Sequence, residues 1–206
     1  MVRKQRLAHR SNYGSSRAPS TIKFIVIHYT ANDGDTDENN GNYFANNVTK
    51  TSAHYFVDDD SMTQTVPDNY IAYHCGTTGT YKHIACRNSN SIGIEICDDV
   101  KNGVIYPSEK TIANVIQLTK ELMAKYDIIP ERVIRHFDVT GKACPAYWVD
   151  DAKWEKEFHS KLIDAELENA KRKIRQAAGL AEKTIKYLED YTYGRDLILK
   201  LAKGMK

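Results

Sequence analysis

The chain has 206 residues, 41% of them hydrophobic and 27% charged, and a formal net charge of +2. These values are ordinary for a soluble globular protein, and no stretch approaches the length of an apolar membrane span. The sequence therefore predicts no membrane-spanning helix, and the length suits one domain of catalytic size with a small appendage.

The charge is unevenly distributed along the chain. Residues 1–17 contain five basic side chains and no acidic one, and residues 161–206 contain 11 Lys and Arg against 7 Asp and Glu. The segment between them carries a net charge of −7. Basic ends suit anionic polymers, nucleic acid among them, although solvated surface charge is the commoner explanation for each end taken alone.

The first predicted strand follows a polar N-terminal segment. Residues 1–20 are basic and then rich in Ser and Gly, which predicts a flexible tail, and they contain no apolar run of signal-peptide length. Residues 22–27 are almost all apolar, as in a strand that is buried on both faces of a sheet. His28 ends this strand, where α/β sheets place their sites. A lone histidine there is more often a core or surface group, so His28 needs partners elsewhere.

A helix and two strands are predicted next. Residues 33–47 predict a loop and a short helix whose N-cap is Asp35 or Thr36. Residues 52–57 predict a second strand, and residues 62–66 a return strand after a turn of three aspartates. The aspartates lack the spaced ligands and terminal Glu of a calcium loop, so they favour a solvated turn.

Residues 90–96 alternate as in a strand, with three isoleucines on one face and Gly93 and Glu95 on the other. A glutamate in a central strand is costly unless it is paired or functional. Glu95 is therefore interpreted either as a member of a surface salt bridge or as a general base. Residues 108–126 then show helical spacing behind a Ser108 N-cap, which predicts a core-packing helix without chemistry.

His136 and Cys144 lie eight positions apart, behind a short predicted strand. This distance is too long for ligands on adjacent helical turns, and it favours a loop that folds back at Gly141 and is stiffened by Pro145. Imidazole and thiolate are ligands that zinc favours. Together with His28 they would supply three ligands and leave a fourth tetrahedral position for water, as in a catalytic zinc site.

Three motifs occur in a specific order: Ile-Val-Ile-His at 25–28, Ser-Ile-Gly-Ile-Glu at 91–95, and His136 followed by Lys-Ala-Cys-Pro at 142–145. In this order and separation they resemble the zinc-dependent N-acetylmuramoyl-L-alanine amidases of the phage-endolysin and autolysin type. Peptidoglycan recognition proteins share the fold of that family. The resemblance covers roughly residues 20–155.

The resemblance implies a mechanism and a substrate. Zn²⁺ would be held by His28, His136 and Cys144, Glu95 would act as general base, and Lys142 would stabilise the oxyanion. The bond cleaved would be the amide between N-acetylmuramic acid and the L-alanine of the peptidoglycan stem peptide. The implied partner is thus bacterial peptidoglycan, with no nucleic acid and no membrane span.

The resemblance also implies three substrate-binding candidates. Some family members use a tyrosine beside the metal, and either His54 or Tyr55 takes its place in this sequence. The segment around His74 resembles a family segment whose histidine faces the cleft, so His74 would bind substrate or support the metal site.

The expected fold is α/β, a mixed central sheet flanked by helices with a zinc cleft, plus a C-terminal α-helical extension. The catalytic domain would span residues 21–158 and the extension residues 159–206. An apolar stripe at helical spacing in the extension predicts one or two helices that pack on the body, bind the wall or self-associate as a homo-oligomer. Without a signal peptide, we expect synthesis in the cytoplasm and release through a holin or lysis.

Two alternatives remain open at this point. A peptidoglycan recognition module could keep the groove without the chemistry, although Glu95 and Lys142 argue against it. A cysteine hydrolase could use Cys144 as nucleophile and His136 as base.

Overall fold

The computed structural model describes residues 1–32, 34–76, 79–101, 103–189 and 191–205. Within these ranges none of the helices combines the length and the apolar content that a membrane span requires. The strands and helices in the described ranges are β1 Val2–Gln5, β2 Tyr13–Ser16, β3 Phe24–Tyr29, α1 Asp37–Asn46, β4 Tyr55–Val57, β5 Ser61–Gln64, β6 Tyr70–Ala72, β7 Ser91–Ile96, β8 Asp99–Lys101, β9 Val104–Tyr106, α2 Glu109–Tyr126, β10 Val133–Arg135, α3 His136–Thr140, α4 Asp151–Glu157, α5 Ile163–Ala178, α6 Glu182–Glu189 and α7 Gly194–Gly204.

A six-stranded sheet in the order β1-β5-β4-β7-β3-β10 forms the centre of the molecule. The β4–β5 pair is antiparallel, and the other neighbouring pairs are parallel. Helices pack against this sheet, so the predicted mixed α/β fold is confirmed. Because β3, β7 and β10 run in the same direction, their carboxyl ends meet at one edge, which is where α/β sheets carry their sites.

The two faces of β7 carry different kinds of residue, as the alternating sequence predicts. Ile92, Ile94 and Ile96 are completely buried in the main core, together with the apolar face of α2 and Trp148. The Ser108 side chain caps α2 by accepting the N–H of Thr111, so the predicted helix and its cap are confirmed. Gly93 and Glu95 lie on the opposite face of the strand, where the polar side chains gather.

The region between β3 and β5 follows its local sequence signals closely. Thr36 rather than Asp35 is the N-cap of α1, and its hydroxyl accepts the N–H of Asn39. The predicted aspartate turn also forms. The Asp58 carboxylate accepts the N–H groups of Asp60 and Ser61 and so closes the turn with its own side chain.

The N-terminal segment is part of the fold, which corrects the predicted flexible tail over residues 1–20. β1 pairs in parallel with β5 at the edge of the main sheet, and β2 pairs with β6. Two of the basic side chains here have partners elsewhere in the fold. Lys4 lies 2.9 Å from the Glu38 carboxylate, and Arg17 donates to the carbonyls of Asp68 and Asn88. Backbone pairing with an otherwise open strand edge explains the order, which composition alone did not indicate.

The C-terminal extension folds as three helices, α5 to α7, around an apolar cluster of its own. Ala170 and Ile174 of the predicted stripe are buried against Ile198 and Ala202 of α7. This part of the predicted self-association surface is therefore covered within the chain. The boundary also moves, because Leu162 is completely buried in the main core, so the extension begins at about α5 and not at residue 159.

Candidate metal centre

The local fold of residues 135–145 brings two candidate ligands to one place. His136 directly follows β10 and opens the single-turn helix α3, where the sequence predicted a loop. Gly141 ends the helix with a φ of +84°, a conformation that favours glycine, and turns the chain back. The N–H of Phe137 donates to the carbonyl of Cys144 at 2.9 Å and closes the fold-back.

His28, His136 and Cys144 converge as predicted, although His28 and Cys144 are 116 positions apart in sequence. One ligand atom from each residue lies within 4.8 Å of the others, and all three residues are buried. His28 Nδ1 lies 3.7 Å from Cys144 Sγ. Zinc bonds of about 2.0 Å to nitrogen and about 2.3 Å to sulfur, at a tetrahedral angle, would separate these atoms by about 3.5 Å.

Two observations fit a metal ion at this position. Neither ring nitrogen of the buried His136 forms a hydrogen bond of normal geometry with any described residue. Buried polar atoms are rarely left unpaired, so a metal ion is the natural partner for one of them. The donor set of two imidazoles and one thiol also matches the preference of zinc for nitrogen and sulfur.

Burial controls the protonation of the ligands. Desolvation lowers the pKa of His28 well below its usual value, and desolvation with the nearby Lys142 charge lowers the pKa of His136 to about 4. Both rings are therefore neutral at pH 7 and able to bind a metal. Burial and the neighbouring Glu95 raise the pKa of the Cys144 thiol to about 12, so metal binding must displace its proton.

Glu95 and Lys142 face the same groove beside this centre. Glu95 is the register partner of His28 on the neighbouring strand. The groove has a volume of about 580 Å³, and the residues along it are Tyr29, Thr30, Asn32, Asp35, Asn39, Asn40, Tyr43, Phe44, Phe56, Glu95 and Lys142. Burial raises the pKa of Glu95 to about 8, and its Oε2 has no hydrogen-bond partner within the described part of the chain. This carboxylate is therefore poised to exchange a proton near neutral pH.

The register of β4 decides the places of His54 and Tyr55. Tyr55 pairs with Ile94 and faces the main core, where its hydroxyl donates to Asp68 at 2.6 Å. Phe56, its neighbour, pairs with Glu95 and lines the groove instead. Tyr55 thus lies on the other face of the sheet from the predicted substrate site.

His54 is completely buried and has structural partners. Its Nδ1 accepts the N–H of Gly93 at 3.0 Å, and its Nε2 lies 3.1 Å from the carbonyl of Tyr70 and 3.0 Å from the Arg17 guanidinium. His74 is also buried, and its Nδ1 lies 3.0 Å from Nε2 of His28. Of the three substrate-binding candidates, His74 is the one that contacts a candidate ligand, from the side away from Cys144.

Asp98 is a residue of this region that the sequence analysis missed. Its carboxylate accepts the N–H of Ala31 at 3.0 Å and the Tyr147 hydroxyl at 3.1 Å, and burial raises its pKa to about 6. Ala31 has a φ of +58°, so Asp98 holds a tight turn directly after β3, next to the groove. The available signal was an acidic residue at the end of a buried strand, two positions beyond Ile96.

Two histidines and a cysteine that converge beside a glutamate at this edge of the sheet define an α/β protein with a candidate metal centre. The chain belongs to the N-acetylmuramoyl-L-alanine amidase family Amidase_2, whose members match it over residues 18–147, more than half of its length. The family resemblance inferred from the motifs is confirmed.

Individual relatives support the same assignment. The chain is 37% identical over 140 residues to a probable N-acetylmuramoyl-L-alanine amidase of Bacillus licheniformis, covering 65% of this chain and 39% of the relative. It is 36% identical over 152 residues to the N-acetylmuramoyl-L-alanine amidase CwlA of Bacillus subtilis, covering 72% and 52%. The chain therefore spans about half, or less, of the length of these relatives.

Solved structures show the likeness in three dimensions. The catalytic domain of XlyA superposes with a TM-score of 0.64 at 30% identity, covering 79% of this chain and 99% of that domain. PlyL superposes with a TM-score of 0.65 at 27% identity, covering 79% and 97%. The superposed region thus includes nearly all of each relative's domain.

Proposed function

We propose that the protein is a zinc-dependent N-acetylmuramoyl-L-alanine amidase that acts on peptidoglycan as a phage or prophage endolysin or an autolysin. The observation that carries the proposal is the convergence of His28, His136 and Cys144. Glu95, the register partner of His28, lines the neighbouring groove together with Lys142. Three ligands leave a coordination position open, as catalytic zinc sites require. The groove offers space for a peptide attached to a sugar.

Glu95 moves the proton in the proposed reaction. The chemistry that bound zinc supplies is polarisation of the scissile carbonyl and a lowered pKa, about 7, for the attacking water. The Glu95 carboxylate accepts a proton from that water and passes it to the leaving amine of L-alanine. Burial supports this role because it raises the pKa of Glu95 to about 8, close to that of the water.

Lys142 supplies positive charge on the same side of the groove. Its side chain is exposed and lines the groove with Glu95, and its charge acts on the pKa values of Glu95 and His136. An ammonium group in this position would stabilise the oxyanion of the tetrahedral intermediate. Glu95 and Lys142 thus divide proton transfer and charge stabilisation between them.

The direct experiment is digestion of purified peptidoglycan. With zinc, the full chain should release new N-terminal L-alanine and free muramoyl lactyl ends, and with a chelator it should not. New reducing sugar ends or cleaved stem-peptide bonds would point to a glycosidase or an endopeptidase instead.

The same experiment separates the two alternatives. A recognition module would bind peptidoglycan and release no new ends. A cysteine hydrolase would be inactivated by a thiol alkylator and would resist the chelator. The high pKa of the Cys144 thiol, about 12, argues against it, because nucleophilic cysteines need a lowered pKa.

The pH dependence of the reaction should report on Glu95. Only the carboxylate accepts a proton, so kcat/KM should rise with pH, up to tenfold per unit, until Glu95 is ionised. The midpoint should lie at or below about 8, because burial raises the pKa and a bound cation lowers it again. The measurement is a pH profile on a soluble muropeptide with saturating zinc. A profile that is flat between about pH 5 and pH 9 would contradict the assignment.

The extension should serve wall binding rather than chemistry. A chain that ends at Ile163 keeps the main core and should hold zinc and cleave a soluble muropeptide at a similar rate. It should act more weakly on intact walls, because the missing residues 164–206 carry 10 basic against 7 acidic side chains. Substituting Lys200 and Lys203 by Gln in the full chain separates the loss of charge from the loss of the helices.

The extension could instead be needed for the stability of the catalytic domain, because the two are in contact. Arg172 of α5 donates to the carbonyl of Ala124 in α2 at 3.0 Å, so the extension contacts the body. If the shortened chain unfolded or lost its zinc, α5 to α7 would belong to the catalytic core.

A further inference from the structure

A continuous chain of hydrogen bonds lies behind His28, on the side away from Cys144. Nε2 of His28 lies 3.0 Å from Nδ1 of His74, and Nε2 of His74 lies 3.1 Å from Oγ of Ser91. The Ser91 hydroxyl donates to the carbonyl of Arg87 at 2.7 Å. His28, His74 and Ser91 are all buried, so bulk water does not compete for these bonds.

The carbonyl of Arg87, the last acceptor in this series of hydrogen bonds, determines which atom donates in each of them. A carbonyl only accepts, so Ser91 donates its single proton to Arg87, and its oxygen accepts from Nε2–H of His74. A neutral imidazole carries one proton, so Nδ1 of His74 is bare and accepts from Nε2–H of His28. The same reasoning leaves Nδ1 of His28 unprotonated. This is the nitrogen that lies 3.7 Å from Cys144 Sγ.

The His74 ring packs directly against the backbone of β7 at Gly93. A Cβ on Gly93 would lie 2.5 Å from Cγ of His74, so a larger residue would displace the ring. The N–H of Gly93 is itself held by Nδ1 of His54 at 3.0 Å. The rings of His28 and His74 meet edge to face, with centroids 5.1 Å apart. The His74 ring is therefore held between the backbone of β7 at Gly93 and the ring of His28.

We propose that His74 is a positioning residue, anchored by Ser91 on the Arg87 carbonyl, that presets the tautomer and orientation of His28 for metal binding through Nδ1. The inference rests on the proposed metal centre and adds residues that are not ligands. A ligating histidine whose second N–H has a fixed acceptor binds its metal more tightly, and loss of that acceptor costs about 10- to 100-fold in affinity.

The first test needs no metal. Histidine ¹⁵N spectra of the metal-free full chain should show His28 and His74 neutral, each with its proton on Nε2. A proton on Nδ1 of His28 would overturn the proposal. This readout does not depend on zinc. Failure of the full-length protein to bind zinc would contradict the proposed function, whereas the ¹⁵N spectrum would still test the hydrogen bonds behind His28.

The second test compares two substitutions whose side chains have the same number of heavy atoms and the same branching, His74→Asn and His74→Leu. The amide oxygen of Asn can stand where Nδ1 of His74 stood and accept from His28, whereas Leu offers no acceptor. Zinc affinity, measured by competition with a chromophoric chelator, should fall about 10- to 100-fold for His74→Leu and remain within about threefold for His74→Asn. Equal affinities would show that the ring merely fills space, and would overturn the proposal.

Ser91→Ala tests the anchor separately. Without the hydroxyl, His74 should exchange between tautomers, and the ¹⁵N spectrum of His28 should show both protonation patterns. Thermal unfolding of each variant controls for general loss of structure. If a variant does not fold, the ¹⁵N spectrum of the unsubstituted protein remains the deciding test. An unchanged His28 tautomer in a folded Ser91→Ala variant would refute the role assigned to Ser91.

Discussion

Replacing any one of His28, His136 and Cys144 by Ala is expected to remove both the bound metal and the amidase activity. The unsubstituted chain should hold about one zinc ion, and each variant close to none, because two remaining ligands cannot hold the ion against water. Metal content by atomic spectroscopy and release of new peptidoglycan ends measure the two effects. The loss of activity should be complete, since the ion takes part in the reaction itself.

Cys97→Ala is the matched control for Cys144→Ala. Both thiols are buried, with 4% and 3% of the residue exposed, but Cys97 packs against Ala53 and Phe56 and is not part of the candidate ligand group. The Cys97 variant should keep its zinc and its activity, which separates ligation from simple loss of a buried side chain. Full activity in a metal-free preparation would refute the zinc mechanism.

Glu95→Gln is expected to keep the zinc and lose most of the turnover. Gln has nearly the same shape but cannot accept the proton of the attacking water, so kcat should fall by about 10²- to 10⁴-fold. Steady-state kinetics on a soluble muropeptide, with zinc content measured on the same sample, separates the chemical step from metal loss. An unchanged kcat would require another base near the groove.

Lys142→Ala should lower kcat by about 10²- to 10³-fold, as the loss of one oxyanion-stabilising group does. Lys82→Ala is a suitable control, because Lys82 lies over the Phe137 ring, 5.0 Å from its centroid, and packs beside the same turn at Gly141. Lys82 is not among the residues that line the groove. If both substitutions lowered kcat equally, the effect would come from disturbance of the turn and not from the charge at the oxyanion.

The local signals in the sequence were reliable where neighbouring residues decide the structure. The alternation in β7 correctly separated the buried isoleucines from Glu95, because a strand sends successive side chains to opposite faces. The cap of α2 was predicted correctly, and Thr36 is one of the two caps predicted for α1, because a hydroxyl that accepts a free N–H is a local interaction.

Contacts between segments that are distant in the sequence could not be predicted from local patterns. These contacts account for the corrections to the predicted fold. β1 forms because the edge of β5 is available to a segment about 60 residues away, and its basic composition gave no sign of this. The stripe in the extension looked like an exposed surface because the residues that cover Ala170 and Ile174 lie in α7, more than 20 positions further along the chain, at Ile198 and Ala202.

The sequence by itself determined the chemical inventory: two histidines, a cysteine, a glutamate and a lysine in motifs whose order identifies the family. It also determined which of these lie at strand ends, because periodicity is a local property. Only the tertiary structure decided which neighbours each ring meets. The pairing of β4 with β7 directs Tyr55 to the core and Phe56 to the groove, and the packing of His74 over Gly93 places it against His28. Strand register and side-chain packing depend on contacts between distant segments, so no local pattern could specify them.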